Sequence, residues 1–332
     1  MNVTSIGDLA QSLMLRARNA QLKSTIAVLA QELSSGQTNN LSSRMGGDLS
    51  HLTDIEHNLT RLQGYAIATN EAAAFTQSMQ INLDHIDDTF GMVGSALLGI
   101  NQQADRSHAT VRARQGLDTV VESLNSRSAG RSLFAGIASD RTPLLSSQLL
   151  VKSLRSVLTG LTTIADIEQA ARAWFDDPAG FQTVMYAGAN EPLAPFEIGP
   201  GKRVSTPLRA DDPIFRDALR QLTTAAIADD PTLGLSAETK HELLQRAGIE
   251  ILNGQYALTQ ARADLGFVQS QIEETAARNS ATISSLEYAR NELLSVDPYE
   301  TATRLEEIQF QLESLYSVTV RAARLSLLAF LK

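Results

Sequence analysis

The most regular hydrophobic pattern in the chain lies between residues 240 and 295. Starting at Leu244, apolar or small residues recur at alternating steps of three and four over seven heptads. This spacing is typical of a coiled-coil helix. It is interrupted by a polar stretch at Thr275, Asn279 and Thr282. Because an α-helix rises about 1.5 Å per residue, about fifty residues span roughly 75 Å, and the pattern predicts a helical rod rather than a globule.

Residues 48–127 supply a matching stripe for this rod. Its apolar positions are Leu52, Ile55, Leu59, Leu62, Phe75, Met79, Ile86, Phe90, Val93, Leu97 and Ile100. The stripe changes phase near Thr69, which is typical of a stammer in a coiled coil. Gly91, Gly94 and Gly99 lower helix propensity in the second half of the stripe. We interpret these glycines as places where another helix approaches closely.

Both ends of the chain carry similar stripes with little charge around them. Residues 1–40 contain only five charged side chains. Asp297 before Pro298 is a strong helix start, because an acidic N-cap accepts hydrogen bonds from the first turn and proline suits the first helical position. Chain ends are usually polar and frayed, so we expect ends this apolar to be buried in an assembly interface. The predicted interface residues are Leu15, Leu22, Ile26, Leu29, Leu33, Leu305, Ile308, Leu312, Leu315, Leu325, Leu328, Phe330 and Leu331. The alternative is that these residues only hold the two terminal helices together within one chain.

The middle of the chain, residues 141–235, breaks the helical pattern. Most of the nine prolines lie there. Phe181–Ala187 and Lys202–Leu208 are short enough to be strands, and Ile198–Gly201 has the composition of a tight turn between extended pieces. The amphipathic segments on either side predict helices at Leu149–Leu161, Ile164–Trp174 and Ile214–Ile227. The region therefore predicts a small α+β domain.

Together these patterns predict a mainly α fold, in which a long antiparallel coiled-coil rod carries an inserted small α+β domain. The predicted segments are an N-terminal assembly helix (1–40), the first half of the rod (41–140), the inserted outer domain (141–235), the second half of the rod (236–297) and a C-terminal assembly helix (298–332). We expect the two assembly helices to pair with each other.

Composition and charge exclude several classes of protein. The net charge of −9 argues against a nucleic-acid binder, which needs a basic stripe, and against a polybasic membrane-surface protein. The chain has no cysteine, which excludes disulfide frameworks, thiolate metal sites and cysteine nucleophiles. Apolar residues make up 43%, enough for a sizeable core, but aromatic residues only 5%. The core is therefore not expected to depend on large rings.

Signals for targeting or membrane insertion are not evident in the sequence. Arg16, Arg18 and Lys23 lie where a cleaved signal peptide keeps an uncharged stretch. A membrane-spanning helix needs about 18–20 apolar residues in a row, and the longest candidate, Met92–Ile100, is far shorter. We expect no membrane insertion. The chain is then either cytoplasmic or exported by a route that uses no cleaved signal.

The densest group of possible metal ligands is His51, Asp54, Glu56 and His57. The two histidines are six residues apart, whereas a helical zinc site places them four apart. We interpret this group as a solvated helix face opposite Leu52 and its neighbours. The sequence therefore predicts no metal site here.

Other motifs that could carry chemistry have simpler interpretations. Gly199–Lys202 has the composition of a phosphate loop but lacks its spacing, so a hairpin turn is the better interpretation. Asp176-Asp177-Pro178 and Asp211-Asp212-Pro213 are acidic turns before proline, which more often start or stop helices than act as catalytic pairs. Nucleophile-elbow and dinucleotide motifs are absent from the sequence. We predict no catalytic residue and no cofactor.

Three hypotheses of function remain from the residues alone. The first is a structural subunit that assembles into a fibre or tube through its own weakly charged, apolar ends. The second is a signalling coiled coil, for which the sequence offers no membrane span, sensor domain or catalytic partner motif. The third is an enzyme built on the inserted domain, which the missing catalytic motifs disfavour.

Short motifs at both ends resemble those of the flagellin family. Leu33-Ser34-Ser35-Gly36, which closes the N-terminal stripe, is similar to the Leu/Met-Ser-Ser/Thr-Gly of that family. The run from Ala302 to Leu331 is similar to the family's C-terminal signature and is the more specific match. After Gly36, the usual Asp-Asp-Pro or Asp-Asp-Ala-Ala is replaced by Arg44–Asp48.

Two internal segments resemble the hook-associated members of the same family. Leu133-Phe134-Ala135-Gly136, followed by Thr142-Pro143-Leu144, is similar to the Leu-Phe-Ser-Gly … Pro-Phe of those proteins. The stretch from Tyr186 through Phe196–Val204 to Phe215 is similar to the segment that opens their outer domain. With the two ends, the resemblance covers about a third of the chain.

The resemblance implies a structural subunit of the bacterial flagellum, an extracellular adaptor ring that joins the hook-associated zone to the flagellin filament. The implied partners are the first hook-associated protein, flagellin, neighbouring copies of the chain and a cytoplasmic export chaperone. It also implies passage through the flagellar type III export apparatus without a cleaved signal peptide. Flagellin itself, or a filament-forming paralogue, is the alternative that the terminal motifs leave open.

The family's terminal helices are expected to order only on assembly. Fixing the backbone costs about 1–2 kcal/mol per residue, and this cost is met only when neighbours bury the apolar stripes. Such coupling would prevent premature polymerisation in the cytoplasm.

Overall fold

The computed structural model describes the backbone of residues 4–100 and 103–330, and the side chains of residues 10–42, 44–100 and 105–321. The chain is 75% helical, and its described sheets are small and antiparallel. The predicted fold class, mainly α with a small α+β part, is confirmed.

Helices of very different length follow one another along the described chain. They are α1 (Thr4–Ser35), α2 (Leu41–Arg44), α3 (Ser50–Leu98), α4 (Gln103–Leu124), α5 (Ser147–Leu158), α6 (Ile164–Asp176), α7 (Pro213–Ile227), α8 (Ala237–Leu294) and α9 (Pro298–Phe330). Two antiparallel hairpins pair β1 (Arg127–Ser128) with β2 (Arg131–Ser132) and β3 (Phe196–Gly199) with β4 (Lys202–Val204). The long helix that the heptad pattern predicts between residues 240 and 295 is α8.

The chain divides into two compact units. The first, here called the terminal unit, comprises Met1–Arg61 and Ala281–Lys332, and the second, the central unit, comprises Leu62–Ser280. This division is coarser than the five segments that the sequence predicts, whose boundaries stay a prediction.

The central unit has a continuous hydrophobic core. Helix α7 contacts α4, α5 and α6, and the core also takes in buried side chains of α3 and α8. Aromatic rings fill its centre: Phe134 meets Phe215 edge to face at 5.8 Å, and Phe175 stacks on Phe181 at 5.1 Å between ring centroids. Despite the low aromatic content of the chain, these rings are fully buried.

Two glycines allow α3 and α8 to cross closely within the central unit. A Cβ atom added at Gly94 would lie 2.6 Å from Cγ of Leu252, and one at Gly248 would lie 3.1 Å from the carbonyl oxygen of Gly94. Contacts this short exclude larger side chains. The close approach of another helix that the sequence predicts at Gly94 is confirmed.

The polar interruption in the α8 stripe is explained by the hairpin of β3 and β4. Asn279 is buried and donates a hydrogen bond from Nδ2 to the carbonyl oxygen of Ile198 at 3.1 Å. Thr69 of α3 donates its hydroxyl to the same oxygen at 3.4 Å. Ile198 and Val204 pack beside Ile272 in a small second core. The polar residues therefore satisfy a buried backbone carbonyl that leucine would leave without a partner.

The strands predicted in the middle of the chain are partly wrong. Phe181–Ala187 is not a strand, because Pro178–Gln182 forms a π-helical turn that seats Phe181 against other rings of the core. Of Lys202–Leu208, only Lys202–Val204 is a strand. The β1–β2 hairpin was not predicted from the sequence, although Gly130 in its turn has the positive φ of 81° that glycine tolerates.

Candidate functional site

Helix α1 ends at a glycine that ties it to the segment before α9. Gly36 has a φ of +71°, the left-handed conformation typical of a residue that follows a helix. Its N–H donates to the carbonyl oxygen of Glu32 at 2.8 Å, and its own carbonyl accepts from Val296 N at 3.0 Å. Thr38 N donates to Leu294 O at 2.9 Å. The Leu-Ser-Ser-Gly motif thus closes α1 and attaches it to the start of α9.

Helix α9 begins with the cap that the sequence predicts. Oδ1 of Asp297 accepts hydrogen bonds from Tyr299 N at 2.8 Å and Glu300 N at 3.2 Å, with Pro298 as the first helical residue. The predicted helix start is confirmed. Because the end of α1 and the start of α9 are held together, and the two helices contact each other, they run antiparallel side by side.

The predicted interface residues lie on the two contacting helices but are buried to different degrees. Leu22 and Leu29 are buried, whereas Leu33 is 39% exposed. The remaining members with described side chains are half-buried: Leu15, Ile26, Leu305, Ile308, Leu312 and Leu315. The side chains of Leu325, Leu328 and Phe330, and all of Leu331, lie outside the described residues. Contact of this seam with neighbouring subunits stays a prediction.

Large apolar side chains also lie on the outer surface of the same helix pair. On α1, Leu13 is 56% and Met14 is 68% exposed; on α9, Phe310 is 69% and Val318 is 54% exposed. The sequence pattern does not predict Leu13, Met14 and Phe310 as interface residues, because they fall outside the three-and-four spacing of the stripe. Their signal was an apolar residue at a position where a solvated helix normally carries charge.

A shallow groove runs between α1 and α9. It has a volume of about 350 Å³ and is lined by Arg18, Leu22, Phe310, Gln311, Ser314, Leu315 and Val318. Arg18 crosses it by donating a hydrogen bond to Oε1 of Gln311 at 3.4 Å. The exposed apolar surface of the groove therefore comes from Phe310 and Val318 of α9, with one polar link to α1 across it.

Polar contacts hold the two helices together beside this apolar surface. Nζ of Lys23 lies 6.0 Å from the ring centroid of Tyr316, a cation–π geometry. Hydrogen bonds from Asn19 and Lys23 to the hydroxyl oxygen lower the pKa of Tyr316, because they favour its phenolate form. These contacts fix the register of α1 against α9.

The motifs considered for chemistry lie outside this surface and have structural roles. His51, Asp54, Glu56 and His57 are exposed on α3. Across the described residues, no group of three or more histidine and acidic side chains could hold a metal ion. The Gly199–Lys202 segment is the β3–β4 turn, as predicted.

The acidic turns serve as backbone acceptors. Oδ1 of Asp177 accepts from Ala179 N at 2.9 Å, and Oδ2 of Asp212 accepts from Arg209 N at 2.8 Å. Burial raises the pKa of Asp212, although the hydrogen bond from Arg209 N and the charge of the Arg209 guanidinium oppose the shift. Asp177 therefore caps the helical turn that follows it, whereas Asp212 stabilises the turn that precedes α7.

Among the helices that the structure describes, none is long and apolar enough to cross a membrane.

Comparison with known proteins relates the C-terminal part of the chain to flagellins. The sequence profile of the bacterial flagellin C-terminal helical region matches residues 251–331. Comparison with curated proteins gave no match.

Solved structures of flagellar proteins share the fold. A protein assigned as a flagellar hook-associated protein from Vibrio parahaemolyticus is 14% identical, with a TM-score of 0.51 over 74% of this chain and 100% of that chain. FlgL from Bacillus cereus is 12% identical, with a TM-score of 0.53 over 72% of this chain and 100% of that chain. At these identities the two structures show a shared fold, and the profile relates residues 251–331 to the C-terminal helical region of flagellins.

Proposed function

We propose that the chain is a structural subunit of the bacterial flagellum, an extracellular adaptor that forms a ring between the hook-associated zone and the flagellin filament. The observation that carries the proposal is the antiparallel pair of α1 and α9, which leaves Leu13, Met14 and Phe310 exposed. The role is mechanical and includes no catalytic step.

The exposed side chains favour an assembled state. Burying a leucine, methionine or phenylalanine side chain stabilises by about 1.5–3 kcal/mol, so a partner that covers exposed side chains of this size gains free energy. Neighbouring subunits that cover Met14 and Phe310 would gain this free energy. The terminal helices are therefore the element through which copies join.

The same surface explains why assembly needs control before export. Apolar helices that are exposed in the cytoplasm would associate prematurely, so we propose that a cytoplasmic chaperone covers them. The chain then passes through the flagellar type III apparatus without a cleaved signal peptide. Outside the cell it joins the first hook-associated protein, flagellin and neighbouring copies of itself. The shared fold with a hook-associated protein and with FlgL supports this position.

A flagellin or filament-forming paralogue is the second candidate. The profile match over residues 251–331 favours it, because that profile describes the C-terminal helical region of bacterial flagellin. The two candidates use the same helix pair and differ in position and copy number.

Immunogold electron microscopy of flagella from the host bacterium separates the two candidates. With an epitope tag in the exposed turn at Gly201, an adaptor gives one labelled band between hook and filament. Labelling along the whole filament would overturn the adaptor proposal and support the paralogue. The cells must make the tagged chain and need the untagged chain for motility. If their isolated flagella then carry no label, both candidate functions are contradicted.

A matched pair of substitutions tests the role of the terminal helices. Phe310→Asp places a charge on the exposed apolar surface and should abolish incorporation into flagella while the monomer keeps its helix content. Gln309→Asp places the same charge on the exposed polar residue next to it and should incorporate normally. Leu312→Asp, in the half-buried seam, should abolish incorporation as well. Normal incorporation of Phe310→Asp and Leu312→Asp would refute assembly through these helices.

A further inference from the structure

Four exposed charges flank the apolar surface of the helix pair in two matching rows. On α1, Arg16 and Lys23 are seven residues apart; on α9, Glu306 and Glu313 are also seven apart. Seven residues are nearly two full turns, so each pair lies along one edge of its helix, about 10 Å apart. One helix therefore carries a basic row and the other an acidic row of equal spacing.

Each row has one side chain between its two charges, and these two side chains differ in size. Phe310 is four residues after Glu306, and Ala20 is four residues after Arg16; both are exposed. The acidic row thus surrounds a protruding ring, and the basic row surrounds a position with only a methyl group. The two edges are complementary in charge and in shape.

Within one copy, these charges do not satisfy one another. Among the described side chains, none of Arg16, Lys23, Glu306 and Glu313 takes part in an ion pair, although α1 and α9 are in contact. By contrast, Glu300 on another edge of α9 already pairs with Arg304 at 3.7 Å. Lys23 contacts Tyr316 of its own copy, but a lysine ammonium has three N–H donors, so both rows still offer charge to a second molecule.

We propose that the acidic edge of α9 in one copy docks on the basic edge of α1 in a second copy, with Phe310 seated against Ala20. Copies that lie side by side with their helices in the same direction place these two edges antiparallel. Arg16 then faces Glu313, and Lys23 faces Glu306. This inference rests on the proposed function, because it names the subunit-to-subunit contact through which that assembly grows.

The contact is head to tail, since each copy offers a different edge to each neighbour. A heterologous contact of this kind repeats, and it generates a ring where the rotation closes or a helical tube where it does not. Charge complementarity in such a contact favours the correct partner and register. Salt weakens it, because both rows are exposed to solvent.

Charge reversal with rescue tests the docking in the full-length chain. One variant carries Arg16→Glu and Lys23→Glu, and the other carries Glu306→Lys and Glu313→Lys. Sedimentation velocity should show that each variant alone self-associates at least about tenfold more weakly than the unmodified chain, since two attractions become repulsions. An equimolar mixture should regain association, because the reversed edges then face opposite charges.

A matched control uses the same charge change on another edge of α9. Glu300→Lys with Glu307→Lys has the same spacing of seven residues and should leave association within about twofold. Circular dichroism of every variant checks that helix content is retained. Loss of association in the control, equal association of all variants, or a mixture that fails to regain it would overturn the docking.

A cross-linking measurement covers association too weak for sedimentation. The chain has no cysteine, so Ala20→Cys and Phe310→Cys can be made separately and mixed under oxidising conditions. Disulfide-linked dimers containing one chain of each variant are expected. A mixture of Ala20→Cys with Gln309→Cys should give at least about fivefold less of the mixed dimer, and equal yields would overturn the docking.

Failure of the flagellar proposal would look different from failure of this inference. If the tagged chain is absent from flagella but the charge rescue and cross-linking succeed, the docking holds and the flagellar location is wrong. If the chain incorporates into flagella while both reversed variants also do so and associate normally, the flagellar role holds and the docking is wrong.

Discussion

The two units of this protein use similar hydrophobic sequence patterns and reach different degrees of burial. The central unit buries large rings such as Phe90, Phe175 and Phe215 almost completely. In the terminal unit, the large apolar side chains described as buried are Leu22, Leu29, Leu52, Ile55 and Leu59. Both units also expose large apolar side chains, Met14 and Phe310 in the terminal unit and Met92 and Phe267 in the central unit. A heptad stripe therefore guarantees helix pairing but not a finished core.

This difference separates stability from assembly. The central unit contains its own core, so its fold needs no partner. The terminal unit has fewer buried side chains to offset the ordering cost of two long helices, and its exposed apolar surface remains to be covered. Substitutions in the central unit should therefore change the free energy of unfolding, and those on the outer surface of the terminal unit should change assembly.

The largest expected effect comes from emptying the core of the central unit. Phe215→Ala removes a ring that is fully buried against Phe134, and loss of a buried phenylalanine lowers the free energy of unfolding by about 3–5 kcal/mol. Urea unfolding followed by the fluorescence of Trp174, the single tryptophan, measures it. A loss below about 1 kcal/mol would show that this core does not hold the unit together.

A glycine of the central unit should give the next largest effect. At Gly136, where φ is +63°, an added Cβ would lie within van der Waals overlap of Glu191 O, at 2.2 Å. Gly136→Ala should therefore cost at least about 2 kcal/mol, through strain and overlap together.

Gly160 provides the control for this substitution. It also has a positive φ, of 88°, but nothing lies within 4 Å of its added Cβ. Gly160→Ala should cost only about 1 kcal/mol, because it adds backbone strain alone. Equal losses for the two variants, measured in the same unfolding experiment, would mean that the contact with Glu191 does not matter.

A smaller effect is expected at the start of α9 in the terminal unit. Asp297→Ala removes the acceptor of two backbone N–H groups and should reduce the stability of α9 by about 1 kcal/mol. In the assembled state, where α9 is protected, hydrogen exchange at Tyr299 and Glu300 should become faster. Asp297→Asn keeps an acceptor oxygen and should lose only a few tenths of a kcal/mol. If both variants exchange like the unmodified chain, the cap does not hold the helix start.

The smallest effect on stability is expected at the most exposed ring of the helix pair. Phe310→Ala should change the free energy of unfolding of the monomer by less than about 0.5 kcal/mol, because the side chain is mostly in solvent. The same change should weaken self-association measured by sedimentation. Phe310→Ala and Phe215→Ala form a matched pair of phenylalanine substitutions. A large loss of monomer stability with Phe310→Ala would contradict the difference between the two units.

Much of the helical architecture could be predicted because it depends on local signals. The three-and-four spacing gives α8, the acid before Pro298 gives the start of α9, and Gly94 marks a close helix crossing. The strand predicted at Phe181 is wrong. An aromatic residue near proline favours a strand locally, but the packing of the Phe181 ring against Phe175 determines the conformation of this segment. Tertiary packing of this kind is not encoded in periodicity.

The residues of the candidate site could also be predicted only in part from the spacing of apolar residues. The seam from Leu22 to Leu29 is visible in the spacing, but Phe310 and Ala20 fall outside that spacing and become significant only when α1 and α9 are placed side by side. A single exposed charge such as Arg16 or Glu313 does not by itself indicate a binding surface. The equal spacing of these charges matters because the structure shows both rows exposed and without ion pairs in the described part of the chain.

Amide hydrogen exchange, compared between the purified monomer and assembled flagella, tests the central claim most directly. We expect residues 10–35 of α1 and 298–321 of α9 to exchange fast in the monomer and to become protected on assembly. The core of the central unit, including Phe215, should be protected in both states. Strong protection of both terminal helices in a verified monomer, unchanged on assembly, would contradict the account.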